Sequence, residues 1–325
     1  MAGPWAFRVG MVVPAWYPEE APEELVRQLL ARTLCGVESL CAAEDVVLVL
    51  DGQPRWAPLL EEVARQRGFS FEALPRNEGK GAAVARGIER LLPHGCRYIV
   101  TRDSDGDHLL ADMPALIELA ELMAAESGTD LLIVSGCRLD RVRPLGVLRA
   151  ALEEVTDRVL WQALQFYAAQ EGRRLSEAYF APYGDWPDIQ SGYKVYSLPA
   201  AAKALSALRS CGPISRCGVE TVPAVEILAA GGTIGMMARR TYQEQPISGY
   251  RGVDVVRMYG EPLVWAFRRL NIPSPVALAL LDDSLLRCPL LFDAVHREAL
   301  LAVRTALATA LGLEPGRLQV PQRFF

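Results

Sequence analysis

The chain has 325 residues, of which 51% are hydrophobic and 22% charged, and its formal net charge is −5 from 34 basic and 39 acidic side chains. This composition excludes a disordered or fibrous protein and argues against a nucleic-acid coat or a membrane binder that acts through bulk charge. Seven cysteines without a CxxC pair and three histidines give neither a disulfide framework nor a zinc site. No apolar run approaches the roughly 20 residues of a bilayer crossing, and no signal-peptide pattern opens the chain, so we expect a cytoplasmic protein.

Short β-rich runs alternate with helical patterns over the first 125 residues, which is typical of parallel strands joined by crossover helices. The predicted strands are Phe7–Val13, Val46–Leu50, Phe69–Leu74 and Tyr98–Thr101. The predicted helices are Glu19–Leu40, Trp56–Gln66 and one that runs from the turn Asn77–Gly81 to Leu92. This order predicts an α/β fold with a mostly parallel central sheet flanked by helices.

The second part of the chain continues the same sheet and then becomes helical. The predicted elements are helix Ala115–Glu126, strand Asp130–Ser135, helix Leu145–Glu171, loop Tyr179–Asp188, strand Gln190–Tyr196, helices Pro199–Leu208 and Val219–Ala230, and strand Thr233–Ala238. Residues 252–312 are helical and amphipathic, and no internal repeat or low-complexity linker interrupts the chain. We therefore divide it into residues 1–125 and 126–251, two halves of one domain, and a helical C-terminal extension, 252–325.

Residues that could bind a ligand or take part in catalysis follow each of the first four predicted strands. They are Pro14–Tyr17, Asp51, Gly79–Gly81 and Asp103–Asp107. In an open α/β sheet, ligands bind beyond the carboxyl ends of the strands, so we expect these segments to form one site.

Three carboxylates at every second position, Asp103, Asp105 and Asp107, make up the sharpest of these features. Such a group repels itself unless a cation neutralises it, and oxygen ligands suit Mg²⁺ or Mn²⁺. The alternative is a solvated turn that leads into the helix at Ala115. A calcium loop of the EF-hand kind is disfavoured, because its glycine at the sixth position and its glutamate at the twelfth are missing.

Two segments offer positive charge to an anion. The turn Asn77–Gly81 places Lys80 at a helix N-terminus, although it lacks the spacing of a Walker loop, and a plain helix-entry turn is the alternative. Residues 239–269 hold six arginines against three acidic residues, which suits phosphate, whereas the alternative is a solvated helix face.

Taken in order, these segments resemble the nucleotide-sugar glycosyltransferases of family 2 with a GT-A fold. The most similar branches are the dolichyl- or polyprenyl-phosphate hexosyltransferases and the glucosyl-phosphoglycerate synthases. The matching segments are Val12–Glu20, Val47–Gly52, Asn77–Ala83, the DxD-like Asp103–His108 with Pro114, Gly136–Arg138 and Asp188–Ser197. The resemblance spans about residues 7–250.

The resemblance implies a nucleotide-sugar donor, a UDP- or GDP-sugar, bound by the first half with a divalent cation, Mg²⁺ or Mn²⁺. The implied nucleotide-sugar contacts are Pro14, Ala15, Tyr17, Asp51, Gly79, Lys80, Asp103 and Ser104. Asp105 would coordinate the metal that bridges the diphosphate, and Asp107 would add a second anionic ligand where the polyprenyl-phosphate branch usually has Gln. Leu50 also replaces an Asp that is common in the family, which affects base recognition.

The acceptor side is expected in the second half. The candidate acceptor contacts are Arg138, Gln190, Arg240 and Arg251, and the candidate catalytic residues are Asp188 and Glu220. A hydroxyl acceptor needs such a carboxylate to take its proton, whereas a phosphate needs no base and should be surrounded by arginines. The arginine excess favours a phosphorylated acceptor, either a polyprenyl phosphate or a phosphoglycerate-like molecule. For Glu220, the alternative is a charge that interacts with a helix N-terminus.

Two further function classes stay open. A sugar-phosphate nucleotidyltransferase could use a similar sheet, but the glycine- and arginine-rich first loop of that class is missing after Val13. A non-catalytic, partner-binding protein could use the C-terminal helices as its interface. Those helices would pack on the sheet, pair in a homodimer, or lie peripherally on the inner face of a membrane that carries a lipid acceptor. Packing is favoured, because no strongly basic amphipathic face is present.

Overall fold

A seven-stranded sheet forms the centre of the computed structural model, which describes residues 4–239, 254–316 and 318. The strands are β1 (Val9–Ala15), β2 (Val46–Asp51), β3 (Ser70–Leu74), β4 (Tyr98–Thr101), β5 (Leu132–Arg138), β6 (Lys194–Ser197) and β7 (Thr233–Arg239). Their order is β3-β2-β1-β4-β6-β5-β7, and only β6 runs antiparallel to its neighbours among the described strands. The predicted α/β class and the mostly parallel central sheet are confirmed.

Helices cover both faces of this sheet. They are α1 (Glu23–Leu34), α2 (Ala57–Arg67), α3 (Lys80–Leu91), α4 (Met113–Glu126), α5 (Val142–Leu145), α6 (Val147–Gln170), α7 (Leu198–Ser210), α8 (Thr221–Ala229), α9 (Glu261–Arg269), α10 (Ser274–Leu286) and α11 (Arg297–Ala310). Successive β1 side chains alternate between the faces: Val12 packs with α3 and α7, and Met11 and Val13 pack with α1 and α4. Because both faces are buried, the strand is continuously apolar.

Several predicted boundaries shift for identifiable reasons. The first helix is shorter than predicted, because it begins only after Pro22 and the chain leaves it at Gly36, whose φ is 76°. β1 runs through Pro14, since the ladder between β1 and β4 ends at Val12 and the proline nitrogen is not required there. β6 begins only at Lys194, because residues 188–193 form a loop instead of a strand.

The C-terminal extension is helical, as predicted, over its described residues 254–316. It opens with a π-helical turn, Val256–Gly260, that leads directly into α9. Phe267 of α9, Leu281 of α10 and Leu307 of α11 are fully buried in one core with α6 and α8. These helices therefore pack on the long helix α6 and extend the main core.

Candidate functional site

A cleft of about 400 Å³ opens at the edge of the sheet where β1, β2 and β4 end. Ten of the predicted site residues line it: Pro14, Ala15, Asp51, Gly79, Lys80, Asp103, Ser104, Asp105, Gln190 and Glu220. The opposite wall comes from α6, from residues 216–220 and from Met258 of the π-helical turn. The structure therefore brings the four strand-end segments into one concave site.

Asp51 shapes the turn that enters α3. Its two carboxylate oxygens accept hydrogen bonds from the backbone N–H groups of Glu78 and Gly79, at 2.7 and 2.9 Å. Burial raises the pKa of Asp51, and these two hydrogen bonds oppose that change. Asp51 thus fixes the backbone beside Lys80 while it lines the cleft.

The two glycines of the turn let another segment approach closely. A Cβ on Gly81 would lie 2.1 Å from the carbonyl oxygen of Ser215, and one on Gly79 would lie 2.7 Å from Cα of Arg216. Arg216 then donates to the backbone and side-chain oxygens of Asn77 at 2.9 and 2.8 Å. The Gly-Lys-Gly pattern is therefore required for packing against the turn Gly212–Arg216.

Lys80 connects the two halves of the cleft. Its Nζ lies 2.8 and 3.0 Å from the carboxylate oxygens of Asp103 and 2.7 Å from Oε1 of Glu220. Burial alone would raise the pKa of Asp103, but the Lys80 ammonium holds that pKa well below its usual range. Asp103 is therefore an ionised carboxylate that already has a cationic partner.

Asp105 has the opposite environment. Its Oδ1 accepts the backbone N–H of Asp107 at 3.0 Å, and within the described part of the chain it forms no ion pair with a lysine or arginine. Burial, together with the neighbouring charge of Asp103, raises the pKa of Asp105 to about 6. The loop is held by Tyr17, whose buried hydroxyl donates to the carbonyl of Ser104 at 3.0 Å. Tyr17 therefore supports the loop and is not among the residues that line the cleft.

The structure places Asp107 differently from its expected role as a metal ligand. Its carboxylate is buried, with Oδ2 3.3 Å from Nη1 of Arg239, and it is absent from the cleft lining. His108, which follows it, stacks on Tyr193 and accepts the backbone N–H of Asp103 at Nδ1. Burial and the charge of Arg239 lower the pKa of His108 well below its usual value, so it is a neutral acceptor behind the loop.

Asp188 and Arg138 are also placed differently from their expected roles at the acceptor, because they contact each other outside the cleft lining. Arg138 donates to Asp188 from its backbone N and from two side-chain nitrogens, Nε at 2.9 Å and Nη2 at 2.6 Å, and Arg141 contacts the same carboxylate at 3.3 Å. Burial would raise the pKa of Asp188, but these two guanidinium groups hold it far below its usual range. Such a carboxylate is poorly suited to take a proton, and neither residue is part of the cleft lining.

The loop between Asp188 and β6 brings the second half of the sheet to the acidic loop. Gln190 lines the cleft and donates to Oγ1 of Thr221 at 3.1 Å. A Cβ on Gly192 would lie 2.6 Å from a carboxylate oxygen of Asp103 and 2.8 Å from Nζ of Lys80, so a side chain there would displace this ion pair. Lys194, fully buried, donates to the carbonyls of Ile189 and Ser191 and so ties the loop to β6.

Four charged or aromatic residues of the cleft were not predicted as site residues. Arg149 and Glu153 project from α6, with Arg149 Nε 2.9 Å from Glu153 Oε1, and Arg216 lies across the cleft. Trp16 lines the cleft beside Pro14 and Ala15, and its buried Nε1 has no hydrogen-bond partner among the residues described. The i, i+4 spacing of Arg149 and Glu153 was visible in the sequence, but surface ion pairs have the same spacing.

Within the described residues, the predicted arginine excess does not contribute to the cleft. Arg239 contacts Asp107, Arg257 lies near Glu261, Arg268 donates to the carbonyl of Ala310, and Arg269 pairs with Glu226. None of these four lines the cleft. The other two arginines of the group, Arg240 and Arg251, which were candidate acceptor contacts, lie outside the described residues.

Comparison with known proteins gives one curated relative and several distant structures. The chain is 31% identical over 116 residues to the undecaprenyl-phosphate 4-deoxy-4-formamido-L-arabinose transferase of Sodalis glossinidius (strain morsitans), a match that covers 35% of this chain and 33% of the relative. The chain thus matches about a third of that relative's length. No family model matches the chain. This similarity supports the predicted resemblance to glycosyltransferases, whereas the individual branches stay predictions.

The structural matches are more distant. The structure of S. aureus TarS has a TM-score of 0.45 and 12% identity, covering 94% of this chain and 49% of that one. A cytidylyltransferase from Leptospira borgpetersenii serovar Hardjo-bovis (strain JB197) has a TM-score of 0.41 and 13% identity, covering 73% and 79%. No conclusion about function follows from similarities at this level. Among residues 4–239 and 254–316, no helix combines the length and apolarity that crossing a bilayer requires.

Proposed function

We propose that this protein is a glycosyltransferase that moves a hexose from a nucleotide-sugar to an acceptor with the help of a divalent cation. The observation that carries the proposal is Asp105, a carboxylate with a raised pKa that lines a cleft at the ends of parallel strands and has no cationic partner within the described residues. The curated relative, named as a sugar transferase, supports the same reaction class.

The carboxylates of the cleft suit a cation that the substrate helps to hold. No group of three or more His, Cys, Asp or Glu side chains with metal-binding geometry occurs among the described residues. Mg²⁺ is usually bound through one or two carboxylates together with substrate phosphates and water, and Asp105 beside Asp103 fits that pattern. When bound, the cation would neutralise the charge that develops on the departing diphosphate. Asp105 is the ligand that we propose, with Asp103 shared between the cation and Lys80.

The donor end of the cleft offers contacts for the nucleotide. Trp16 has a flat ring and an indole N–H that no described residue contacts, Asp51 presents a carboxylate at the end of β2, and Arg216 is exposed beside them. The five carboxylates and three cations of the lining, Asp51, Asp103, Asp105, Glu153, Glu220, Lys80, Arg149 and Arg216, leave a formal charge of −2. A diphosphate therefore needs an added cation to enter this cleft.

The acceptor end favours a hydroxyl as the reacting group. Glu153 and Glu220 line this end, and the cations beside them already pair with these carboxylates: Arg138 and Arg149 with Glu153, and Lys80 with Glu220. In the proposed reaction the acceptor oxygen bonds to the anomeric carbon as the bond to the diphosphate breaks, and Glu220 takes the hydroxyl proton. A phosphate elsewhere on the acceptor, as in a phosphoglycerate-like molecule, is compatible with this chemistry. The relative's undecaprenyl-phosphate acceptor represents the alternative, a phosphate that reacts without a base. Homodimer formation and contact with a membrane stay predictions.

Calorimetric titration of the full chain with UDP- and GDP-sugars, with Mn²⁺ or with a chelator, tests the donor and the cation. We expect the wild type to bind the nucleotide-sugar only when the metal is present. In Asp105→Asn, we expect the affinity for the nucleotide-sugar to be the same with the metal and with the chelator. The matched variant is Asp107→Asn, which removes a neighbouring carboxylate that is absent from the cleft lining and should retain metal-dependent binding. Equal affinity with metal, with chelator and in Asp105→Asn would refute the proposal.

A product assay tests the reaction itself. With a donor and a hydroxyl acceptor we expect a nucleoside diphosphate and a glycosylated product, and Glu220→Gln should lower kcat by roughly 10²–10⁴-fold while the affinity for the donor changes little. Release of pyrophosphate from a nucleoside triphosphate and a sugar phosphate would instead establish a nucleotidyltransferase. Turnover of polyprenyl phosphate in Glu220→Gln at the wild-type rate would refute the hydroxyl mechanism.

A further inference from the structure

A second cavity, of about 530 Å³, lies among the C-terminal helices. Its walls come from α9, α11, the π-helical turn Val256–Gly260 and the turn Gly212–Arg216. The lining is mostly apolar: Ile214, Val256, Gly260, Val264, Trp265, Ala306, Leu307 and Ala310. A cavity of this size and character is typical of sites for small apolar or amphipathic ligands.

The lining also contains three charged side chains, and the way in which they are paired favours an anionic ligand. Two guanidinium groups, Arg268 and Arg269, and one carboxylate, Glu261, belong to the lining, and Glu261 lies 4.0 Å from Arg257. Arg269 is paired with Glu226, but Arg268 donates to the backbone carbonyl of Ala310 at 2.6 Å and has no carboxylate within ion-pair distance among the described residues. Its planar group retains further N–H donors that suit a carboxylate or a phosphate.

We propose that this cavity binds a single-chain amphipathic anion. The apolar chain lies among Ile214, Val264 and Leu307, and the anionic head contacts Arg268. The ligand comes from solution as a monomer, because Arg268 is the one guanidinium of the described lining without a carboxylate partner, whereas adsorption to an anionic membrane surface needs several exposed cations.

The second cavity shares two walls with the cleft. Ile214 lines the second cavity, and Arg216 of the same turn lines the cleft. Val256 and Gly260 line the second cavity, whereas Met258 of the same π-helical turn lines the cleft. A ligand that changes the position of either turn therefore changes the cleft, so we expect a coupling between the two sites that is equal in both directions. This coupling, unlike the binding itself, rests on the proposed function of the cleft.

Titration of the full chain with decyl phosphate, decanoate, decanol and inorganic phosphate tests the site. We expect saturable binding of one decyl phosphate or decanoate per chain, weaker binding of decanol, and no binding of inorganic phosphate alone. Arg268→Gln should weaken decyl phosphate binding by about tenfold, which is the loss of one charge-assisted contact. Arg90→Gln, an exposed arginine on α3, is the matched control and should leave the affinity unchanged. Ala306→Phe fills the cavity and should abolish binding.

Three results would overturn the proposal. The first is the absence of saturable decyl phosphate binding, including the case in which the protein floats with phosphatidylglycerol vesicles instead. The second is equal binding in the wild type, Arg268→Gln and Ala306→Phe. The third concerns coupling: we expect decyl phosphate to change the affinity for UDP with Mn²⁺ by at least about fivefold, and equal UDP affinities with and without it would refute the coupling. If UDP does not bind under any condition, the proposed function fails, while the decyl phosphate titration still tests the cavity.

Discussion

Replacement of Lys80 by methionine tests whether one ammonium group holds the two halves of the cleft together. Lys80 Nζ lies 2.7 Å from Glu220, which is 140 residues away in the chain, and 2.8 Å from Asp103. Methionine keeps an unbranched stem of similar length, so the change removes the charge and little of the packing. In Lys80→Met, Asp103 and Glu220 face each other without a cation.

The expected loss follows from the burial of these groups. Removal of one partner from a buried ion pair costs about 3–5 kcal/mol, whereas an exposed pair contributes about 0–1 kcal/mol. The side chains of Lys80, Asp103 and Glu220 are 31%, 25% and 15% exposed, so solvent screens part of the interaction. We therefore expect Lys80→Met to lower the free energy of unfolding by about 2–3 kcal/mol.

Urea denaturation of the full chain without divalent cations measures this loss, and Lys203→Met is the matched control. Lys203 is 32% exposed, but its Nζ lies 4.0 Å from Glu226, so we expect a loss below about 1 kcal/mol. The double variant Lys80→Met/Glu220→Gln should lose less than the sum of its single changes, by about 1–2 kcal/mol, because the second change removes an uncompensated carboxylate. Additive losses, or equal losses in Lys80→Met and Lys203→Met, would refute this reasoning.

Three further predictions concern the supports of the cleft. Burial lowers the pKa of Lys194 from 10.5 to about 8, so the unfolded chain binds the lysine proton more tightly than the folded protein does. Between pH 8 and 10.5 the free energy of unfolding of the wild type, relative to that of Lys194→Met, should therefore rise by about 3 kcal/mol. A difference in urea midpoints that does not change with pH would contradict this. Gly81→Ala places a methyl group 2.1 Å from the Ser215 carbonyl and should destabilise the protein by more than about 1 kcal/mol, although alanine is the better helix former; a gain in thermal midpoint would contradict the packing. His108→Phe keeps a ring for stacking on Tyr193 but leaves the partly buried backbone N–H of Asp103 without its acceptor. We expect the free energy of unfolding to fall by about 1–3 kcal/mol in the same denaturation assay. An unchanged stability would show that this hydrogen bond contributes little.

The strand ends could be predicted from the sequence because their signals are local. Tyr98–Thr101 has the predicted boundaries, and Val46–Leu50 is extended by one residue, Asp51. In a parallel sheet these ends must meet at one edge, so the approximate position of the cleft followed from the order of strands and helices. Eight of the ten predicted site residues that line the cleft lie at or after the ends of β1 to β4, and the other two, Gln190 and Glu220, come from the second half of the chain.

The pairing of charges could not be predicted, because it depends on residues that are distant in the chain. Asp103, Asp105 and Asp107 are equivalent by spacing, yet Asp103 pairs with Lys80 and Asp107 pairs with Arg239. Only Asp105 lacks a cationic partner among the described residues. The sequence therefore indicated the need for a cation near this loop, but not which carboxylate has that need.

The segment Asp188–Lys194 also has contacts that differ from those expected from the sequence. In the sequence it suggested acceptor chemistry, with Asp188 as a base. In the structure, Asp188 contacts the guanidinium groups of Arg138 and Arg141, Gly192 leaves room for Asp103, and Lys194 ties the loop to the sheet. Only Gln190 of these residues reaches the cleft. An inference about the acceptor therefore has to rest on Glu220, Glu153 and Arg149, which line the cleft itself.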